Sequence, residues 1–151
     1  MKPIRFTQAG YEKLKAEYED LKQKRPATVE DLKKAREMGD LSENGYYKAS
    51  KAKLAWIDGQ IFRISHYLKM AQIVEEETEK NTVSIGKTVT LTTGTKKMVY
   101  AIVGDMEANP SEGKISLLSP LGRALIGQKT GAEIALETPS GKIIYKITSL
   151  T

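Results

Sequence analysis

Two carboxylates, Asp40 and Glu43, stand three residues apart in the stretch AREMGDLSENGYYK at residues 35–48. With no third ligand they make part of a Mg²⁺ site at most. Mg²⁺ takes six near-octahedral oxygens, usually from one or two carboxylates plus water and phosphate. A partner would have to complete such a pair, as in two-metal phosphoryl chemistry. Spacing alone favours a plainer role. Asp is a common helix cap, and Glu is a common first-turn residue beside the positive end of a helix. The choice between the two depends on what holds the pair.

Two long helical patterns flank it. Tyr11, Leu14, Tyr18, Leu21, Arg25, Thr28, Leu32 and Ala35 recur at alternating spacings of 3 and 4, a heptad seam. Tyr47, Ser50, Leu54, Ile57, Ile61, Ile64, Leu68 and Ala71 repeat that spacing. Folding the chain back pairs 35 with 47 and so on to 11 with 71, every pair summing to 82, so Leu41 marks the tip. The pattern predicts an antiparallel helical hairpin with arms of roughly 45 Å. Thr7 is the expected N-cap and Gly39 the expected stop after Met38. Ser42 or Asp40 is the expected cap of the returning helix. Pro26 is a candidate kink.

Residues 75–82, EEETEKNT, are charged and aperiodic and read as a linker between a hairpin at 1–74 and a domain at 83–151. The second domain shows short strands at Thr88–Thr92, Lys97–Val103, Lys114–Leu118, Ala132–Glu137 and Ile143–Ser149. Ser119 as N-cap, Pro120 at the first helical position and Gly127 as stop predict one short helix. The fold class is therefore α+β: a helical coiled-coil hairpin followed by a small antiparallel sheet domain.

The chain has no cysteine and one histidine, so thiolate sites are excluded and a His-based metal site is disfavoured. His66 falls on the polar side of the second helix, where solvation is its expected state. Trp56 precedes the seam residue Ile57 and is expected to pack beside the seam. No apolar run reaches the roughly 18–20 residues of a membrane span, and the start lacks a signal-peptide core. A cytoplasmic protein is expected. Residues 1–74 hold 15 Lys+Arg against 10 Asp+Glu, whereas residues 75–151 hold 9 of each. The positive excess on the first half suits an acidic partner, including nucleic acid or an enzyme that handles it.

The stretch Ala35–Asn44, followed by Tyr47, resembles the tip signature of the Gre family of bacterial transcript-cleavage and elongation factors, its GreA branch most closely. Further matches run along nearly the whole chain. They include Thr7, Gly10, Lys13 and Leu14; Arg25-Pro26; Gly59-Gln60-Ile61; Ala71-Gln72-Ile73; Ile102–Asp105; Glu107-Ala108; Ser119–Gly127; and Thr138–Gly141.

The resemblance implies a coiled coil followed by an FKBP-like domain, and a monomer that works on bacterial RNA polymerase. The second domain would dock at the rim of the polymerase's secondary channel, with Glu107, Ser119, Pro120 and Arg123 as candidate contacts. The coiled coil would enter the channel, and its tip would reach the catalytic centre and the nascent RNA 3′ end. The polymerase would then cut that RNA, with Asp40 and Glu43 helping to hold a shared Mg²⁺ and its attacking water. Arg36, Ser42 and Asn44 would support the tip. The chain would supply no cofactor of its own and would be no enzyme alone.

This chain has Gly45-Tyr46 where the family commonly has Ala-Glu. It has a polar stretch at residues 27–34, and Lys48, Lys51 and Lys53 are candidate contacts to backtracked RNA. A second reading keeps the channel binding without cleavage, as a regulator or inhibitor; retention of both Asp40 and Glu43 favours cleavage. A third, prolyl isomerisation, is disfavoured because the second domain offers only Tyr100 and Tyr145 to line an aromatic pocket.

Overall fold

The seam residues are apolar at a 3.5-residue period, so helices that bury them must pair along one face. In a computed structural model, which describes residues 2–39, 44–75 and 80–151, they do so. Helix α1 spans Gln8–Arg36 and α2 spans Gly45–Met70. The buried residues of α1 are Leu21, Thr28, Leu32 and Ala35, and those of α2 are Ser50, Ile57 and Ile64, all predicted seam positions. Leu21, Ile57 and Ile64 form a core cluster, with Leu14, Tyr18, Ile61 and Leu68 packed against it. Each fully buried side chain of this size contributes about 1.5–3 kcal/mol. Pro26 lies inside α1, and the helix continues past it. Arg25 interrupts the seam: it is exposed and reaches across to Asp58, with Nε 2.5 Å from Oδ1. That hydrogen bond, reinforced by charge attraction, holds the Asp58 carboxyl below its ordinary range and raises Arg25.

The chain divides into two compact units, Tyr11–Met70 and a second made of Met1–Gly10 with Ala71–Thr151. This differs from the expected 1–74 and 83–151. Strand β1 (Ile4–Phe6) pairs in parallel with β2 (Ala71–Ile73), and both belong with the sheet domain rather than with the hairpin. Ala71, read as the last seam residue, is thus the first residue of β2. Of the expected linker, Thr82 bridges to Lys129, and residues 76–79 lie outside the described set.

The main sheet holds β3 (Thr88–Thr93), β4 (Lys96–Val103), β5 (Lys114–Ser116), β6 (Glu133–Thr138) and β7 (Gly141–Leu150) in the order β5-β4-β3-β7-β6. Alternation puts Val89 and Leu91 inward between threonines, as a sheet with one buried face requires. The core gathers Val83, Ile85, Val89, Leu91, Ile102, Leu117, Leu125, Ile134 and Ile147. Three pairings are antiparallel, but β5 runs parallel to β4, so the sheet is mixed. The ten residues 104–113, which include a 3₁₀ turn at Pro110–Glu112 and a left-handed Gly113 at φ 70°, carry the chain back for that parallel pairing. Helix α3 spans Pro120–Leu125. Among the described residues no helix is long and apolar enough to cross a membrane.

Candidate functional site

At the neck of the hairpin the chain leaves α1 at Arg36. Met38 donates back to the Ala35 carbonyl at 3.2 Å, and Gly39 takes φ 106°, a left-handed value that suits glycine. Helix α1 therefore ends two residues earlier than Gly39 alone suggested. Asp40, Leu41, Ser42 and Glu43 lie outside the described residues. The return begins with Asn44. Its Oδ1 accepts from the backbone N–H of Tyr47 at 3.1 Å, the N-cap bond of α2. Its Nδ2 donates to the Ala35 carbonyl at 3.0 Å. One side chain thus caps α2 and ties it to the end of α1. The cap of α2 is Asn44, not Ser42 or Asp40 as the sequence suggested.

A second link crosses the neck lower down. The Tyr46 hydroxyl donates to Asp31 Oδ1 at 3.3 Å. Partial desolvation first, then the Asp31 charge and this bond, push the Tyr46 phenol above its usual range. Lys33, Lys34 and Arg36 occupy the last turn of α1, where cations complement the helix C-terminus. Arg36 is exposed there, beside the start of the tip. Among the described residues no group of three or more His, Cys, Asp or Glu could hold a metal.

The candidate docking residues separate. Glu107 turns inward: its carboxylate accepts from Thr7 N–H at 2.8 Å, Thr7 Oγ1 at 2.5 Å and Gly104 N–H at 2.9 Å. Thr7 Oγ1 also caps the first turn of α1 by accepting from Gly10 N–H at 3.0 Å, as predicted. A Cβ at Gly10 or Gly104 would collide with the Glu107 carboxylate. Beside this latch Arg5 forms a two-pronged ion pair with Asp105, with contacts of 2.8 and 3.1 Å, and its backbone N–H donates to the same carboxylate at 2.7 Å. All these residues belong to the sheet-domain unit. Glu107 is therefore consumed by the fold.

Ser119 is likewise occupied. Its Oγ accepts from Gly122 N–H at 3.0 Å and donates to the Ser116 carbonyl at 2.8 Å, the cap expected of it. Pro120 and Arg123 are exposed on α3; Arg123 Nε donates to the Leu118 carbonyl at 2.9 Å. Leu118, 51% exposed, and Ile126, 38% exposed, flank α3 in the chain. Tyr100 and Tyr145 pack against the core from partly buried positions, so the domain's two aromatics are structural.

Sequence reasoning missed Asp105 and the inward turn of Glu107, because their partners Arg5 and Thr7 lie 100 residues away. The Asn44 cap was legible: asparagine is a preferred N-cap, and Asn44 directly precedes the first helical residue. Trp56, expected beside the seam, is 59% exposed.

Comparison with known proteins gives a consistent result. The model for "Transcription elongation factor, N-terminal" of GreA/GreB matches residues 4–73, and that for "Transcription elongation factor, GreA/GreB, C-term" matches residues 77–151. The chain is 41% identical over 145 residues to transcription elongation factor GreA of Nitratiruptor sp., covering 94% of this chain and 89% of that one. It is 45% identical over 139 residues to the GreA of Staphylococcus epidermidis, covering 90% and 88%. Among solved structures, GreA factor homolog 1 of Thermus thermophilus aligns over 99% of both chains at 27% identity and a TM-score of 0.47.

Proposed function

Because the chain belongs to the GreA/GreB family of transcription elongation factors, we propose that it enters the secondary channel of RNA polymerase and stimulates cleavage of the 3′ end of backtracked RNA. The polymerase performs the hydrolysis, and this chain is the accessory that completes the site. Asp40 and Glu43 are the residues that would hold Mg²⁺ there, with the remaining ligands drawn from the polymerase and the RNA phosphate. A bound Mg²⁺ supplies charge neutralisation at phosphate oxygens and a water of lowered pKa. The chain's own contribution is to carry two carboxylates on a narrow support and to keep the ends of that support together.

The observation that supports this reading most is the double hydrogen bond of Asn44. It satisfies the start of α2, so capping of that helix no longer accounts for the acidic pair. It also fastens the end of α1 to the start of α2, on either side of residues 37–43. The exposed patch of Pro120 and Arg123 is the better candidate for docking on the polymerase rim; Glu107 acts through the fold.

The test uses halted, backtracked elongation complexes with 3′-labelled RNA and Mg²⁺. The full chain is expected to release short 3′ fragments. The Asp40→Ala/Glu43→Ala double variant is expected to bind and release none. If the wild-type chain releases no fragments above polymerase alone but still competes for the channel, it is a channel-binding regulator, and the cleavage reading fails.

A further inference from the structure

The outward side of α2 carries two large rings that the fold leaves in solvent. Trp56, the chain's only tryptophan, is 59% exposed, and Phe62 is 79% exposed, whereas the other phenylalanine, Phe6, is only 2% exposed. Gly59 lies midway between them, three residues from each. A Cβ placed at Gly59 meets nothing within 4 Å, and its φ is not in the left-handed region. Glycine weakens a helix interior relative to alanine, yet neither crowding nor backbone conformation requires it here. Positions i, i+3 and i+6 form one of the ridges of a helix surface. On α2 this ridge reads large, absent, large. Trp56 and Phe62 stand roughly 9 Å apart along the axis, with a one-residue gap between them. Helices pack by setting the side chains of one into such gaps of the other.

Charge narrows the occupant. Lys48, Lys51, Lys53, Arg63 and Lys69 are the basic residues of α2, and all are exposed. Asp58 is its single acid, and Arg25 already holds it. The strip around the notch is therefore positive.

We propose that Trp56, Gly59 and Phe62 form a docking notch for one helix of RNA polymerase, which seats an apolar side chain between the rings and faces the lysines with acidic residues. This rests on the reading that the chain works inside the polymerase channel. A helix suits the notch better than a nucleic-acid strand. A gap one residue wide in a ridge matches a single protruding side chain, whereas base stacking uses an open aromatic face and gains nothing from the glycine. Exposed Trp and Phe with a neighbouring Arg are the residue types that anchor protein interfaces.

The test compares the full chain with its Gly59→Leu, Trp56→Ala and Phe62→Ala variants, by competition binding to core RNA polymerase and by thermal melting. Leucine fills the gap and favours the helix, so Gly59→Leu is expected to melt at or above the wild-type temperature. The same variant is expected to bind polymerase about tenfold more weakly. Trp56→Ala and Phe62→Ala are expected to weaken binding similarly while the hairpin stays folded. If all three variants bind as wild type does, the notch is not a docking site, and the channel reading stands without it. A wild-type chain that fails to bind polymerase at all overturns both. A wild-type dimer in sedimentation that Gly59→Leu dissolves makes a second copy the occupant and overturns the proposal. Loss of poly(U) binding in the variants with polymerase binding intact does the same in favour of RNA.

Discussion

Replacing Glu107 by alanine separates two roles that a carboxylate in the second domain could have. In the structure it accepts three hydrogen bonds, from Thr7 N–H, Thr7 Oγ1 and Gly104 N–H. Bonds to a charged acceptor contribute about 1.5–3 kcal/mol each before water replaces part of the loss. The site is half-buried, so water recovers some of it, and a net cost of about 2–4 kcal/mol follows. A domain of this size loses about 4–8 °C of melting temperature per kcal/mol, so Glu107→Ala should melt at least about 8 °C lower.

A second variant makes the reasoning stricter. A Cβ at Gly10 collides with the same carboxylate, so Gly10→Ala must push Glu107 aside and break the same bonds. It should therefore destabilise almost as much, although alanine is the better helix residue. In the double variant the collision is gone and only the helix gain remains. Gly10→Ala/Glu107→Ala should then melt above Glu107→Ala alone, a coupling opposite in sign to additivity. Calorimetry of the four chains measures the cycle. If Glu107→Ala melts with wild type while polymerase binding falls, the carboxylate faces a partner and the latch is wrong.

Asn44→Ala should cost about 1 kcal/mol of hairpin stability through the lost cap, and it should lower transcript cleavage more than polymerase binding. Asn44→Asp keeps the cap acceptor but cannot donate to the Ala35 carbonyl; near-normal stability with reduced cleavage would assign the function to the tie between the helices. Arg25 holds the Asp58 carboxyl below its ordinary range. That contribution to hairpin stability is present above the unfolded carboxylate pKa of about 4 and is lost as pH falls through the lower folded value. Melting curves from pH 6 down to pH 2 should show this loss, and Asp58→Asn should remove that part of the slope.

The hairpin was legible because burial along a helix pair imposes a period that no other element shares. Every expected seam position on α1 and α2 is buried or half-buried, except Arg25. That exception has its own physics: a guanidinium in the seam could lean out to an acid on the facing helix, and Asp58 stood within reach. The short parallel pairs had no such signal. Three-residue strands like β1 and β5 carry too little alternation to show a partner or a direction. The inward turn of Glu107 was beyond the sequence for a different reason, since Thr7, which gives two of its three donors, lies 100 residues away.

The same distinction bears on function. Asp40 and Glu43 were singled out by type and spacing and their proposed role comes from the family, whereas Asn44 reads as an ordinary cap until its second bond is seen. A cap serves one helix. A side chain that caps one helix and bonds the last buried turn of the other ties the two helix ends together. On the proposed cleavage reading that support belongs to the site along with the carboxylates, and a substitution at Asn44 should be read in the cleavage assay before it is read as a folding defect.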